Sequence, residues 1–235
     1  MDRQHVSTAD LVGRIGQKPE LKQTDAGVPY VQLSLATTER FTDETGKISQ
    51  RTEWHRAVAW GPVAEQIAGS FDKGDSVVLS GALRINAYEK DGHKNRVTEL
   101  HIDKAEPNPD RNLSKNEVRL VGVVREDAKA IDTTSGASLT GLSIATRINV
   151  NGKDREDWHR VALWGKTAEA AVDVKAGDII AINGALRHRT LTHADGQELR
   201  RSTIDGRQFQ VLERAPEKAI EPRVRRQGKV LDRGM

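Results

Sequence analysis

The sequence predicts an all-β chain folded as two tandem barrels, and two observations predict it. One is a duplication: Trp54-His55-Arg56-Ala57-Val58-Ala59-Trp60-Gly61 reappears as Trp158-His159-Arg160-Val161-Ala162-Leu163-Trp164-Gly165. The other is the order of elements within each copy, in which short half-buried strands with frequent turn signals are interrupted once by a brief helix.

Leu11-Val12-Gly13-Arg14-Ile15 reads as the opening strand, and Pro19 with Gly27-Val28-Pro29 marks the loop after it. Val31, Leu33 and Leu35 alternate with Gln32 and Ser34, a half-buried second strand. Residues 42–50 are polar and contain Gly46, so they form a hairpin loop ahead of the tryptophan strand. Pro62 suits a first helical position, where its missing N–H does no harm. The helix runs over 64–71 with Ile67 and Phe71 on one face, and Lys73-Gly74-Asp75 ends it. Residues 77–85 make a fourth strand with a bulge or sharp bend at Gly81. Asp91-Gly92 signals a hairpin turn, and 97–102 form the fifth strand. A helix between the third and fourth strands of a five-stranded Greek-key barrel is the layout of the OB-fold.

Domain boundaries follow. Residues 1–106 make the first domain, and 107–115, with Pro107 and Pro109, a linker. Residues 116–213 repeat the unit: Leu120-Val121-Gly122, a helix over 166–174, Gly184-Ala185-Leu186-Arg187 matching Gly81-Ala82-Leu83-Arg84, and a turn at Asp195-Gly196. Residues 214–235 are a basic tail of the kind that stays disordered. The second copy shortens its hairpin ahead of the tryptophan strand, closing it with Asn151-Gly152.

The duplicated strands hold all four tryptophans of the chain. Strand alternation puts Trp54, Arg56, Val58 and Trp60 on one face and His55, Ala57 and Ala59 on the other. Tryptophans in strands are ordinarily core residues, but an arginine between two buried indoles would need a partner. The Trp-Arg-Trp face is therefore expected to point outward, with Val161 and Leu163 pointing in. Flat aromatics flanking a cation suit unstacked nucleobases joined by phosphates.

Composition narrows the classes. The chain has no cysteine, which excludes disulfides, thiolate metal sites and thiol nucleophiles. No apolar run resembles a signal peptide or a membrane span, so the expected location is the cytoplasm, without membrane association. The net charge of +3 is uneven: −3 over residues 1–110, +2 over 111–213 and +4 over 214–235. The basic balance belongs largely to the tail, so the local Trp-Arg-Trp pattern is the better evidence for a nucleic-acid ligand.

The chain resembles the bacterial single-stranded DNA-binding (SSB) protein family. Leu11-Val12-Gly13, Leu33-Ser34-Leu35-Ala36-Thr37, Thr52-Glu53-Trp54-His55-Arg56, Trp60-Gly61, Lys73-Gly74 and Gly81-Ala82-Leu83-Arg84 carry the likeness in the first domain. Ser143-Ile144-Ala145-Thr146, Asp157-Trp158-His159-Arg160 and Trp164-Gly165-Lys166 carry it in the second. The resemblance implies sequence-nonspecific binding and protection of single-stranded DNA in replication, recombination and repair, in a bacterial, nucleoid-associated setting. It implies no catalysis and no cofactor, and a homodimer whose two chains supply four OB-folds. Its stacking positions map to Phe41, Trp54, Trp60 and Tyr88 in the first domain. In the second they map to Trp158 and Trp164, with Val150 and Leu191 at the other two. Phosphate contacts are expected from Arg56, Lys73, Arg84, Arg160, Lys166 and Arg187, with Arg189, Arg200 and Arg201 in support. The thinner aromatic set predicts weaker binding by the second domain at high salt, because phosphate contacts weaken with salt and stacking does not.

His55 and His159 are expected at a packed interface rather than on a metal, and His188 with His193 is weak metal evidence. SSB proteins usually end in an acidic, aromatic-tipped segment that recruits partners; here the end is basic, which puts that route in doubt. A competing reading is an OB-fold accessory factor of replication restart or a mobile element that binds protein rather than DNA. RNA is a permitted ligand, since stacking platforms accept either sugar. An enzyme is the weakest reading: the sequence shows no nucleophile–base set, and Gly13-Arg14-Ile15-Gly16 is too sparse for a phosphate loop.

Overall fold

The computed structural model describes residues 5–42, 46–90, 93–134, 136–150, 152–192 and 198–216, with backbone alone at 87–90, 93–95, 150, 191–192 and 198–199. The first unit runs β1 (Val6–Ile15), β2 (Lys22–Gln23), β3 (Pro29–Thr42), β4 (Ile48–Trp60), α1 (Gly61–Ser70), β5 (Ser76–Lys90) and β6 (His93–Pro107). The second runs β7 (Lys115–Val124), β8 (Lys129–Ile131), β9 (Leu139–Val150), β10 (Lys153–Trp164), α2 (Lys166–Ala170), β11 (Ile179–Thr192) and β12 (Glu198–Glu213). Apart from the short edge strands β2 and β8, each unit is a five-stranded barrel with its helix between the third and fourth barrel strands. In the first unit β1 pairs with both β3 and β5, and the parallel β4–β6 pair completes the ring. The second unit closes in the same order, through β7–β9, β7–β11 and the parallel β10–β12 pair.

Alternation builds the cores. Leu11, Leu35, Leu79, Leu83 and Leu100 are fully buried in the first barrel, and Leu120, Ile144, Leu163, Ile180, Ile182 and Leu186 in the second. Each such side chain contributes roughly 1.5–3 kcal/mol through the apolar area it removes from water. Helix α1 plugs one end of its barrel with Ala64 and Ile67, and Phe71 follows at its C-cap. The bend expected at Gly81 is a register shift in the β5–β6 ladder, and its copy falls at Gly184. A Cβ on Gly81 would sit 1.9 Å from the His101 carbonyl oxygen, so no larger residue fits the crossing.

Several elements differ from their expected extents. The strands are longer because β1 continues N-terminally to pair with the second barrel and β5–β6 run on as a ribbon. Helix α2 stops at Ala170 instead of residue 174. The Ala171 and Val174 amides bond three residues back, to Ala168 and Ala171, and the Val174 carbonyl accepts the Ala128 amide, which takes this stretch out of the helix. The expected turns at Asp91-Gly92 and Asp195-Gly196 lie outside the described residues, as does Asn151.

The barrels are joined edge to edge. Val6–Val12 of β1 pair antiparallel with Val121–Lys115 of β7, which makes one twelve-stranded sheet. Residues 108–114 between the barrels are fastened: Asn108 Nδ2 donates to Ser76 Oγ (3.0 Å) and the Leu113 carbonyl (3.1 Å), and Ser114 Oγ accepts from the Thr38 amide (2.7 Å). At the other end of the second barrel, Asp178 accepts from Arg214 and from the Ala215 amide, which ties residues 214 and 215 to the barrel.

The seam repeats itself. Ser7 Oγ donates to the Leu83 carbonyl, and Asn116 Nδ2 to that of Leu186. The Ile85 amide meets Asp157 and the His188 amide meets Glu53, each across the seam. His159 Nε2 bonds Thr146 Oγ1 (3.1 Å) and Ser7 Oγ (3.3 Å). His55 bonds Thr37 Oγ1 (2.8 Å) and, across the seam, His188 (3.3 Å), whose other nitrogen meets Ser202 Oγ. His55 and His159 are packed, as expected from the sequence, at a seam between barrels of one chain; His188 was not expected there. Burial pushes the pKa of His55 and His159 down to about 4, and that of His188 to about 3; Arg200 adds to the depression at His55 and His188.

The sign of the pH dependence follows. Unfolded histidine titrates near ~6.5, so below that pH the unfolded chain takes up protons that the folded chain refuses. Stability is complete above about pH 7 and falls toward the folded values, by about 1.4 kcal/mol per pH unit for each histidine that remains neutral. Urea midpoints should drop between pH 7 and pH 5, and more gently in H188N. A midpoint constant over that window would show that the histidines protonate in place.

Candidate nucleic-acid interface

Strand β4 carries the first half of the site. Its side chains alternate so that Glu53, His55 and Ala57 are buried while Trp54, Arg56 and Trp60 stand outside; Val58, expected on the outer face with them, is buried instead. Trp54 is 48% and Trp60 43% exposed; Trp158 and Trp164 in β10 are 43% and 36% exposed. All four indoles are therefore open to solvent, while Val161 and Leu163 point inward. Trp54 lies across backbone: a Cβ on Gly16 would meet its Cζ3 at 2.5 Å. Trp60 sits beside Tyr30, ring centroids 5.2 Å apart and tilted by 31°, as the cross-strand register of β3 and β4 dictates. Phe41 is exposed beneath the Arg51 guanidinium, 5.4 Å from its ring centre. In the second barrel Arg125 covers Trp158 at 5.0 Å. Cations over aromatic faces leave the assembly both flat and positive.

The cations divide into free and committed. Arg56 is exposed and only loosely paired with Glu99, at 3.8 Å. Lys73 is exposed in the turn after α1, and Lys166 on the first residue of α2. Arg160 is exposed next to Trp158; partial desolvation and the neighbouring Arg201 and Arg96 lower its pKa. Arg84 is half-buried, with Nη1 on the Leu83 carbonyl and its charge felt by His101 and His159. The Tyr88 side chain lies outside the described residues, as do those of Val150 and Leu191.

Arg187 corrects the sequence reading. It is buried, and its guanidinium is held by Glu39 and Glu53 of the first barrel and by Asp205 of its own, the latter two at 3.8 and 3.5 Å. Burial alone would raise the Glu39 pKa, but Arg187, Arg207 and Arg51 hold it below the usual range. A guanidinium already committed to three carboxylates is not offered to a phosphate. Lone-sequence reasoning missed this because Glu39 is 148 residues away.

Two further groups come together only in the fold. Arg200 of β12 donates across the seam to the Trp54 carbonyl. Arg96 of β6 reaches the opposite way, lining a cleft with Trp158 and Arg160 of the second barrel. Tyr30 and Arg96 were not expected from the sequence. Arg96 and Arg200 occupy matching places in the two copies, the one sequence signal that marks Arg96. Among the described residues no cluster of three or more His, Asp or Glu could hold a metal.

The single-strand binding protein family matches over residues 6–107 and again over 115–212. The chain belongs to that family. Within it, the single-stranded DNA-binding protein of Thermus aquaticus is 25% identical over 244 residues, covering 96% of this chain and 92% of that one. Single-stranded DNA-binding protein 1 of Chlorobaculum tepidum is 39% identical over 92 residues, 38% of this chain and 57% of its own. The crystal structure of the wild-type T. aquaticus protein superposes with a TM-score of 0.76 at 24% identity, covering 92% of this chain and 98% of that one, so the two-barrel fold is shared.

If Arg187 holds the barrels together, R187M leaves the buried Glu53 charge without its partner and lowers unfolding stability by about 3 kcal/mol or more. Urea denaturation reads this directly. A loss below ~1 kcal/mol, as for an exposed pair, would show that the carboxylates find water.

Proposed function

We propose that the chain binds and protects single-stranded DNA without regard to sequence, in replication, recombination and repair, within the bacterial cytoplasm and its nucleoid. One observation carries the reading: in both barrels, the same strand sets two solvent-open indoles around an exposed arginine. Bases stack on the rings at roughly 1–3 kcal/mol each, whatever their identity, because every base has a π-face. Arg56, Lys73, Arg160 and Lys166 stand exposed to meet phosphates. Duplex DNA keeps its bases stacked and offers the platforms nothing. RNA offers the same stacking and is bound by the same face. No helix among the described residues is long and apolar enough to cross a membrane. We take the working unit to be a homodimer, whose two chains supply four barrels; the relatedness to SSB proteins supports this.

Poly-dT should quench most of the intrinsic tryptophan fluorescence, and duplex DNA should not. W54A and W158A, each in the full chain, should each weaken poly-dT binding by roughly 5- to 150-fold, the equivalent of one lost platform. Unchanged fluorescence on adding poly-dT would favour a protein-binding accessory role instead. Light scattering with and without poly-dT should give two chains per particle.

A further inference from the structure

A cavity of about 270 Å³ opens where the two barrels meet. Its walls carry four arginines: Arg96 from β6 of the first barrel, and Arg160, Arg200 and Arg201 from β10 and β12 of the second. Hydroxyl side chains, Thr98 and Ser143 among them, line it with Trp158, His159 and the apolar Ile85, Leu186 and Ile204, and among the described residues no aspartate or glutamate does. Arg96, Arg160 and Arg201 also line the neighbouring cleft over Trp158 and Trp164, which carries Glu126, Asp127 and Asp205, and Arg96 borders another beside Glu156 and Asp157. Among the described residues no carboxylate pairs with Arg96, Arg160 or Arg201. Guanidiniums brought together without counter-charge repel one another, and folding alone gives no reason to assemble them. Desolvation lowers the pKa of Arg160, and the charges of Arg201 and Arg96 beside it lower it further.

An anion resolves this. Arginine forks and hydroxyls are the donors that phosphate oxygens accept, and the cavity is too small for a folded partner. We propose that this seam cavity is a phosphate site, assembled from Arg96 of one barrel and Arg160 and Arg201 of the other, which grips the backbone of a strand as it crosses from the first barrel to the second. The inference rests on the strand-coating function proposed above and names a part of that site which neither barrel contains alone. The reciprocal reach of Arg200 to the Trp54 carbonyl makes the crossing continuous: each barrel lends a cation to the other's tryptophan strand.

The test uses the full chain and the variants R96Q and R201Q, with R119Q as a control; Arg119 lies on β7 beside Asp10 and Glu117, outside this site. Poly-dT affinity is measured against salt by tryptophan quenching. Each of R96Q and R201Q should reduce the slope of log K against log salt by about 0.7, the value of one phosphate contact on a single strand. R119Q should leave the slope alone. Thermal unfolding without DNA should place R96Q at or above the parent protein, because a repulsive charge has been removed. Pyrophosphate should raise the melting temperature of the parent and have little effect on R96Q. Salt slopes equal to the parent's in R96Q and R201Q, while the parent still quenches with poly-dT, overturn the crossing site and leave the strand-coating function standing. If pyrophosphate alone shows the effect, the cavity serves a free polyphosphate, and the backbone assignment falls. A DNA-free melting temperature clearly lowered by R96Q would mean that Arg96 holds the seam, and that also overturns the proposal. Absence of any quenching by the parent protein removes the strand-coating reading itself.

Discussion

The two-faced geometry of β4 and β10 governs the rest of the molecule. A strand offers successive side chains to opposite sides, so Trp54, Arg56 and Trp60 cannot face the ligand without sending His55 and Ala57 the other way. The outward series makes the platform. The inward series reaches the seam, where His55 meets His188 and its copy His159 meets Ser7. The exposed aromatic face, the proposed ligand face, and the barrel–barrel contact are thus two sides of one ribbon, used twice. A register slip of one residue would bury the indoles and expose the histidines together.

The seam itself rests on an unusual balance. It uses antiparallel ladder bonds between β1 and β7, then adds polar groups that are individually costly to bury. Glu53 and Asp157 occupy equivalent places and each accepts a backbone amide from the opposite barrel. Arg187 and its carboxylates then break the equivalence, since Arg84 in the matching position stays half-exposed on a carbonyl of its own strand. A fixed geometry would serve the proposed binding surface over both barrels, because a strand crossing a loose joint would lose the benefit of sites held at set spacing.

The second barrel is not a worn copy of the first. It keeps both tryptophans and gathers arginines around them, at Arg125, Arg160 and Arg201, where the first barrel places more aromatic surface at Tyr30 and Phe41. Stacking persists in salt and charge attraction fades, so on the proposed function the first barrel's contribution is expected to resist salt better than the second's. The connection 108–114, fastened through Asn108 and Ser114, keeps them in register.

Much of this was legible in the residues because it is local. Alternation, turn dipeptides, the helix-start proline and the duplicated motif depend only on near neighbours, and they specified two OB barrels, the exposed tryptophans and the bulge at Gly81. Strand ends were less legible, since β1 extends to Val6 only because β7 is there to pair with it. The exposure of Arg56 and Arg160 followed from alternation, but the enclosure of Arg187 could not be read. Arg160, after His159, and Arg187, after Leu186, are both strand arginines, yet one stands exposed beside an indole and the other is enclosed by Glu39, Glu53 and Asp205. Whether a cation is offered to a ligand depends on which carboxylates arrive from across the seam. That is a matter of distance in space, set by the packing of one barrel on the other, and no interval along the chain encodes it.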